Sequence, residues 1–156
     1  MIAPHRSLDL AVLGNCNIAA LVDPHARIVW CCIPRLEGDP VFCDLLRDPG
    51  LLCDGLWDIE LTGCVESRHS DIRNTAIIET ILRDADGNEV RSVDFIPRFN
   101  RWRQTFRPMS IVRLIEPCKG VPRICVRVKP RHDYGAHAPR VGRTTFATCL
   151  AKKLFA

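Results

Sequence analysis

The stretch IAALVDPHARIVWCCIPRLEGDPVF, residues 18–42, decides the fold. Two apolar runs, 18–22 and 28–33, flank Asp23-Pro24-His25-Ala26, and Pro24 presets the φ that the first central residue of a type I turn needs. The pair predicts a β-hairpin. Its second run, Ile28-Val29-Trp30-Cys31-Cys32-Ile33, shows no polar alternation, a pattern a strand tolerates only when both faces are covered. That predicts a central strand. Pro34 cannot donate to a ladder and ends it, and the polar corner Arg35-Leu36-Glu37-Gly38 turns the chain. Asp39-Pro40 is expected to open a short helix, with Asp39 as N-cap and Pro40 at the first helical position. Val41, Phe42, Leu45 and Leu46 would form its apolar face, and Pro49-Gly50 would stop it.

Downstream, Leu56-Trp57-Asp58-Ile59-Glu60-Leu61 reads as a short strand, and the polar run CVESRHSDIR at 64–73 as a loop. Residues 75–83 and 89–96 flank Asp84-Ala85-Asp86-Gly87-Asn88, where Gly87 supplies the positive φ that closes such a turn; this is a second hairpin. The segment FNRWRQTFRP at 99–108 interleaves Phe99, Trp102 and Phe106 with Arg101, Arg103 and Arg107. A third hairpin is expected from 110–116 through Pro117-Cys118-Lys119-Gly120 into 122–130. There Ile124, Val126 and Val128 alternate with Arg123, Arg127 and Lys129, which implies a solvated basic face. Beyond Tyr134-Gly135 the pattern dissolves, and TFATCLAKKLFA has helical character. Three hairpins, one short helix and no alternation of strands with long helices predict a mainly β chain, an antiparallel β-sandwich. No repeat suggests a solenoid.

A chain of 156 residues, 47% apolar, suits one domain with a real core. No apolar run approaches the roughly 20 residues that span a bilayer, and the start carries no secretory pattern. Nine cysteines would leave at least one thiol unpaired in any disulfide frame, so a reduced, cytoplasmic protein is expected. Cys16, Cys31, Cys32, Cys43, Cys53, Cys64, Cys118, Cys125 and Cys149 contain no C-x-x-C pair, so neither a metal nor another cofactor is expected. The cysteines read instead as small buried hydrophobes. The formal charge of +4 hides an asymmetry: residues 1–100 hold 9 Lys and Arg against 16 Asp and Glu, and residues 101–156 hold 13 against 2. A basic final third suits either nucleic acid or an acidic partner surface outside this chain.

An ordered series of motifs carries a family resemblance: LDLAVLGN at 8–15, IAALVD at 18–23, IVWCCIPR at 28–35, GDPVF at 38–42, NTAIIET at 74–80, DADGN at 84–88, VDFIPR at 93–98 and PRHDYG at 130–135. The series resembles the trehalase-like N-terminal domain of glycoside hydrolase family 15, the family of bacterial glucoamylases, glucodextranases and trehalases. The resemblance implies an incomplete β-sandwich over 1–135, since the family continues with further strands and then an (α/α)6 catalytic barrel, with 136–156 a divergent tail. One departure lies in the first hairpin turn, where the family's Asp-x-x-Gly-Ser is here Asp23-Pro24-His25-Ala26-Arg27. The general acid and base of the family's inverting mechanism belong to the barrel, so the chain is expected to be truncated before its catalytic part and inactive alone.

An inverting pair needs two carboxylates about 6.5–9.5 Å apart, one of raised pKa. Glu37 with Asp39, and Asp84 with Asp86, sit two apart, but cap and turn chemistry accounts for all four. No catalytic residue is therefore assigned. Arg35, Glu37 and Asp39 are the candidates for the rim of the substrate entrance or for contact with the barrel. Trp30 could stack on a sugar, but its apolar run marks it as core. The segment 99–107 fits an interdomain surface, or stacking on single-stranded nucleic acid. The expected function is thus a non-catalytic domain bracing a barrel that hydrolyses trehalose or a longer α-glucan. The alternative is a small basic domain that binds nucleic acid.

Overall fold

The hairpin at 18–33 forms as expected in a computed structural model of the chain, which describes residues 8–46 and 55–137. Its strands are β2 (Ala19–Val22) and β3 (Ile28–Cys32), preceded by β1 (Ala11–Gly14). Then come β4 (Pro40–Phe42), β5 (Leu56–Leu61), β6 (Cys64–Asp71), β7 (Ile77–Asp84), β8 (Glu89–Phe95), β9 (Phe99–Arg101), β10 (Gln104–Phe106), β11 (Val112–Lys119) and β12 (Ile124–Lys129). One antiparallel sheet runs β1-β2-β3-β5-β12, with β4 also on β3; a second runs β11-β8-β7-β6; β9 and β10 form a ribbon of their own. β3 is central, as its unbroken apolar run requires, and four of its five residues are buried.

Leu13, Ala20, Val22, Ile28, Cys31 and Phe42 of the first sheet, with Ile18 just before β2, pack against Ile78 of the second sheet and Ile96 just after β8, which makes the molecule a sandwich. A smaller cluster of Leu61, Leu82 and Val90 continues the core. Within that apolar layer Arg113 and Asp94 form a fully buried ion pair.

The two expected turns share one geometry. Asp23 O accepts from Ala26 N at 3.1 Å while Asp23 Oδ1 accepts from His25 N and Arg27 N, both at 2.9 Å. Asp84 does the same with Gly87 N, Asp86 N and Asn88 N. The fourth turn residue has positive φ in both, +81° at Gly87 and +59° at Ala26. An aspartate can therefore hold this turn even where the family's glycine is replaced.

Three expectations are corrected. The helix predicted from Asp39 is the strand β4 followed by a single 3-10 turn, Asp44–Leu46. Over so few residues the buried Pro40 and Phe42 fit period two as well as a helical face, and pairing with Cys32 and Cys31 decides between them. The proposed stop at Pro49-Gly50 and the helical tail lie outside the described residues. Of the polar run at 64–73, Cys64–Asp71 form β6, which pairs with β7 as an outer strand and so needs little apolar surface. The third hairpin does not form: β11 pairs with β8 and β12 with β5, so 120–123 crosses between sheets. Alternation identifies a strand but not its partner.

Candidate functional site

The predicted site residues cluster where β3 gives way to β4. Gly38 N donates to Arg35 O at 3.0 Å, closing the corner, and a Cβ on Gly38 would stand 3.1 Å from that oxygen. Arg35 and Glu37 are largely exposed and 4.0 Å apart, a contact that contributes little in water. Asp39, expected to cap a helix, does something else. Its carboxylate accepts from Asp133 N at 2.5 Å and Tyr134 N at 2.9 Å, tying the corner to the segment after β12. Sequence separation hid this partner, 94 residues away.

That segment folds back through reciprocal bonds between His132 and His137, with Asp133, Tyr134 and Gly135 at φ +54°, +51° and +95°. Arg131 N donates to Val41 O at 2.8 Å, so the segment also lies along β4. Beneath it Cys43 is buried; burial, then Asp39 and Asp44, push its thiol pKa up, while Arg131 opposes them. The result is a polar ledge of Arg35, Glu37, Asp39, Asp133 and the exposed Tyr134. Both Asp39 oxygens are occupied by backbone donors, so its role there is positional. Among the described residues no three His, Cys, Asp or Glu side chains gather in a way that could hold a metal ion.

Asp84, in the second turn, is drawn below the usual carboxylate range, chiefly by its hydrogen bond from the Asn88 side chain. A carboxyl shifted that way suits a turn and not a general acid. Trp30 is half-buried in β3.

The basic final third is less free than its composition suggests. Arg113 is consumed by Asp94, and Arg127 meets Asp58 at 2.5 Å and Glu60 at 2.7 Å across the β5–β12 pair. The expected solvated basic face is to that extent corrected: Arg127 is half-buried, its charge matched by the neighbouring strand. The apolar side of β12 gives the opposite result. Ile124 and Val126 stand opposite the buried Leu61 and Ile59, so they extend the core side of the sheet. Yet Ile124, Val126 and Val128 keep 40%, 40% and 52% of their surface in water.

The cysteine expectation holds for Cys31, Cys32 and Cys43, which are buried; Cys16, Cys64, Cys118 and Cys125 are exposed on a turn or on outer strands, and Cys53 and Cys149 lie outside the described residues. No described helix is long and apolar enough to cross a membrane.

Sequence reasoning missed Asn15. Buried in the β1–β2 turn, it receives Asn17 N and Ile18 N on its side-chain oxygen and donates through Nδ2 to Pro97 O at 3.0 Å and Pro108 O at 2.9 Å. These two prolines are the roots of the β9–β10 ribbon. The polar side chain in the turn LGNCN was the available signal.

Comparison with known proteins found no match among curated proteins and none among solved structures. A family model described as trehalase-like, N-terminal, matches residues 5–145. The match spans the two sheets, the polar ledge and the ribbon. Such domains form part of glycosidase-type enzymes, and this chain belongs to the trehalase-like N-terminal domain family.

Proposed function

We propose that the chain is the non-catalytic N-terminal domain of a family 15 glycosidase, which braces an (α/α)6 barrel and shapes one side of its substrate entrance. The observation that carries this reading is the partial exposure, 40% to 52%, of Ile124, Val126 and Val128 on the core side of β12. Three apolar side chains that continue the inner face of a sandwich call for cover from further structure. The partner is then the catalytic barrel, and the α-glucoside, trehalose or a longer glucan, is a substrate of the assembled enzyme. On this reading Arg35, Glu37 and Asp39 belong to the entrance or to the interface. Asp39 prepares that surface by fixing Tyr134 beside the corner. Absence of hydrolysis by the chain alone and a reducing, cytoplasmic setting complete the reading. The four exposed free thiols among the described residues suit such a setting.

The test is reconstitution. The chain is assayed against trehalose and maltooligosaccharides alone, then mixed with a trehalase-like catalytic barrel expressed without its own N-terminal domain. The expected outcome is no hydrolysis by the chain alone, and a complex in which the barrel unfolds at higher temperature. Hydrolysis by the chain alone, or no complex, overturns the reading.

A further inference from the structure

The β9–β10 ribbon is an arm with a fixed root and an unpartnered tip. At the root, one Asn15 amide group holds both legs through Pro97 O and Pro108 O, and Asn17 Nδ2 donates to Arg107 O at 3.4 Å. Arg98 Nη1 reaches Cys16 Sγ at 3.4 Å on the same turn. Along the arm, Phe99 and Phe106 stack with centroids 5.6 Å apart, and Thr105 Oγ1 donates to Asn100 Oδ1. These contacts hold its direction.

The tip is built against local preference. Register pairs Arg101 with Gln104, leaving Trp102 and Arg103 as a two-residue turn, and both have positive φ, +49° and +62°. A turn of that kind is normally Asn-Gly, since a side chain in the left-handed region costs about 1–2 kcal/mol per residue. Here it displays Trp102 at 78% exposure, with the Arg101 guanidinium 4.0 Å from the ring centroid. Among the described residues no carboxylate pairs with Arg101, Arg103 or Arg107. The ring and its cations therefore face outward as an aromatic-cationic point, the combination enriched where protein surfaces meet.

We propose that this arm is a docking finger that seats Trp102 in an apolar pocket of the catalytic barrel, rimmed by carboxylates that pair with Arg101 and Arg103. The partner's identity rests on the reading above; the finger itself rests on strain, exposure and unmatched charge. An acidic protein surface suits it better than an α-glucan. The Trp102 ring lies against the Arg101 guanidinium and next to Arg103, with Gln104 the one neutral side chain closing the turn, so positive charge dominates the tip.

Trp102→Asn/Arg103→Gly is the decisive variant, because Asn-Gly favours this turn and so keeps the arm folded while removing the point. Wild type and variant are titrated against the trehalase-like barrel, with maltoheptaose and a single-stranded oligothymidylate as parallel probes. The readout is calorimetry. The expected result is saturable binding of wild type to the barrel that weakens with salt, and binding about tenfold weaker or more in the variant. Equal binding of wild type and variant overturns the finger and leaves the bracing role standing. No binding of wild type to the barrel overturns both. Binding of either parallel probe that the variant loses, with the barrel bound equally by both proteins, overturns the proposed partner class.

Discussion

Arg113 and Asp94 face each other on adjacent strands with Nε 2.8 Å from Oδ1, and both side chains are almost wholly buried, at 1% and 0% exposure. The same guanidinium donates through Nη1 to Trp57 O at 2.9 Å and through Nη2 to Ala26 O, which lie on β5 and in the β2–β3 turn. One side chain thus joins the two sheets. Removing either partner strands a charge in the core, so Arg113→Met and Asp94→Leu are each expected to lose about 3–5 kcal/mol in urea unfolding. Arg113→Lys is expected to be nearly as damaging, since a single ammonium cannot reach Asp94, Trp57 and Ala26 together. A loss below about 1 kcal/mol for Arg113→Met would mean that the pair does not join the sheets.

Thr80 offers the opposite case. Its side-chain oxygen is buried with no hydrogen-bond partner among the described residues, opposite Ser92 in the second sheet. Val has the same shape without the hydroxyl, so Thr80→Val is expected to gain about 1–2 kcal/mol. Thermal unfolding of the variant checks this, and a lowered melting temperature would contradict it.

The paired turns predict unequal responses to exchange at their fourth residue. A Cβ on Gly87 meets nothing closer than 3.9 Å, so Gly87→Ala adds backbone strain alone and should cost about 1 kcal/mol. Ala26→Gly releases similar strain but removes a fully buried methyl and adds freedom to the unfolded chain, and should change stability by less than about 0.5 kcal/mol. Equilibrium unfolding of the two variants side by side measures the contrast.

Stability should fall at both ends of the pH scale for separate reasons. Asp84 has its folded pKa depressed, so its contribution is full above the ordinary carboxylate range of about 4 and disappears as pH drops through the lowered value. Asn88→Ala removes the main cause and should flatten the acid limb of a melting-temperature profile. Cys31 is pushed up from 9.0 to about 12 by burial, with Cys32 adding to it. Its contribution is full below pH 9.0 and lost as pH rises toward 12. Cys31→Ala should flatten the alkaline limb while lowering stability overall.

Thiol labelling follows from the same burial. Iodoacetamide on the native protein, read by peptide mass spectrometry, should modify Cys16, Cys64, Cys118 and Cys125 and spare Cys31, Cys32 and Cys43 until denaturant is added. Native modification of Cys31 would contradict its place in the core.

What residues 18–42 determined by themselves was local: a turn nucleated by Asp23 and Pro24, a strand too apolar for an edge, and a corner where Pro34 forbids continuation. The ordered motifs carried the family. These were legible because periodicity, turn chemistry and proline geometry act within a few residues. Tertiary structure alone decided the partners. Alternation in 122–130 is the same whether β12 pairs with β11 or β5, and neither the reach of Arg113 to Ala26 nor that of Asp39 to Tyr134 leaves a trace in spacing. Apolar burial and charge desolvation act through space. They fix which strand lies beside which, why Asp39 secures a distant loop instead of capping a helix, and why the one exposed indole stands at the end of an arm anchored by Asn15.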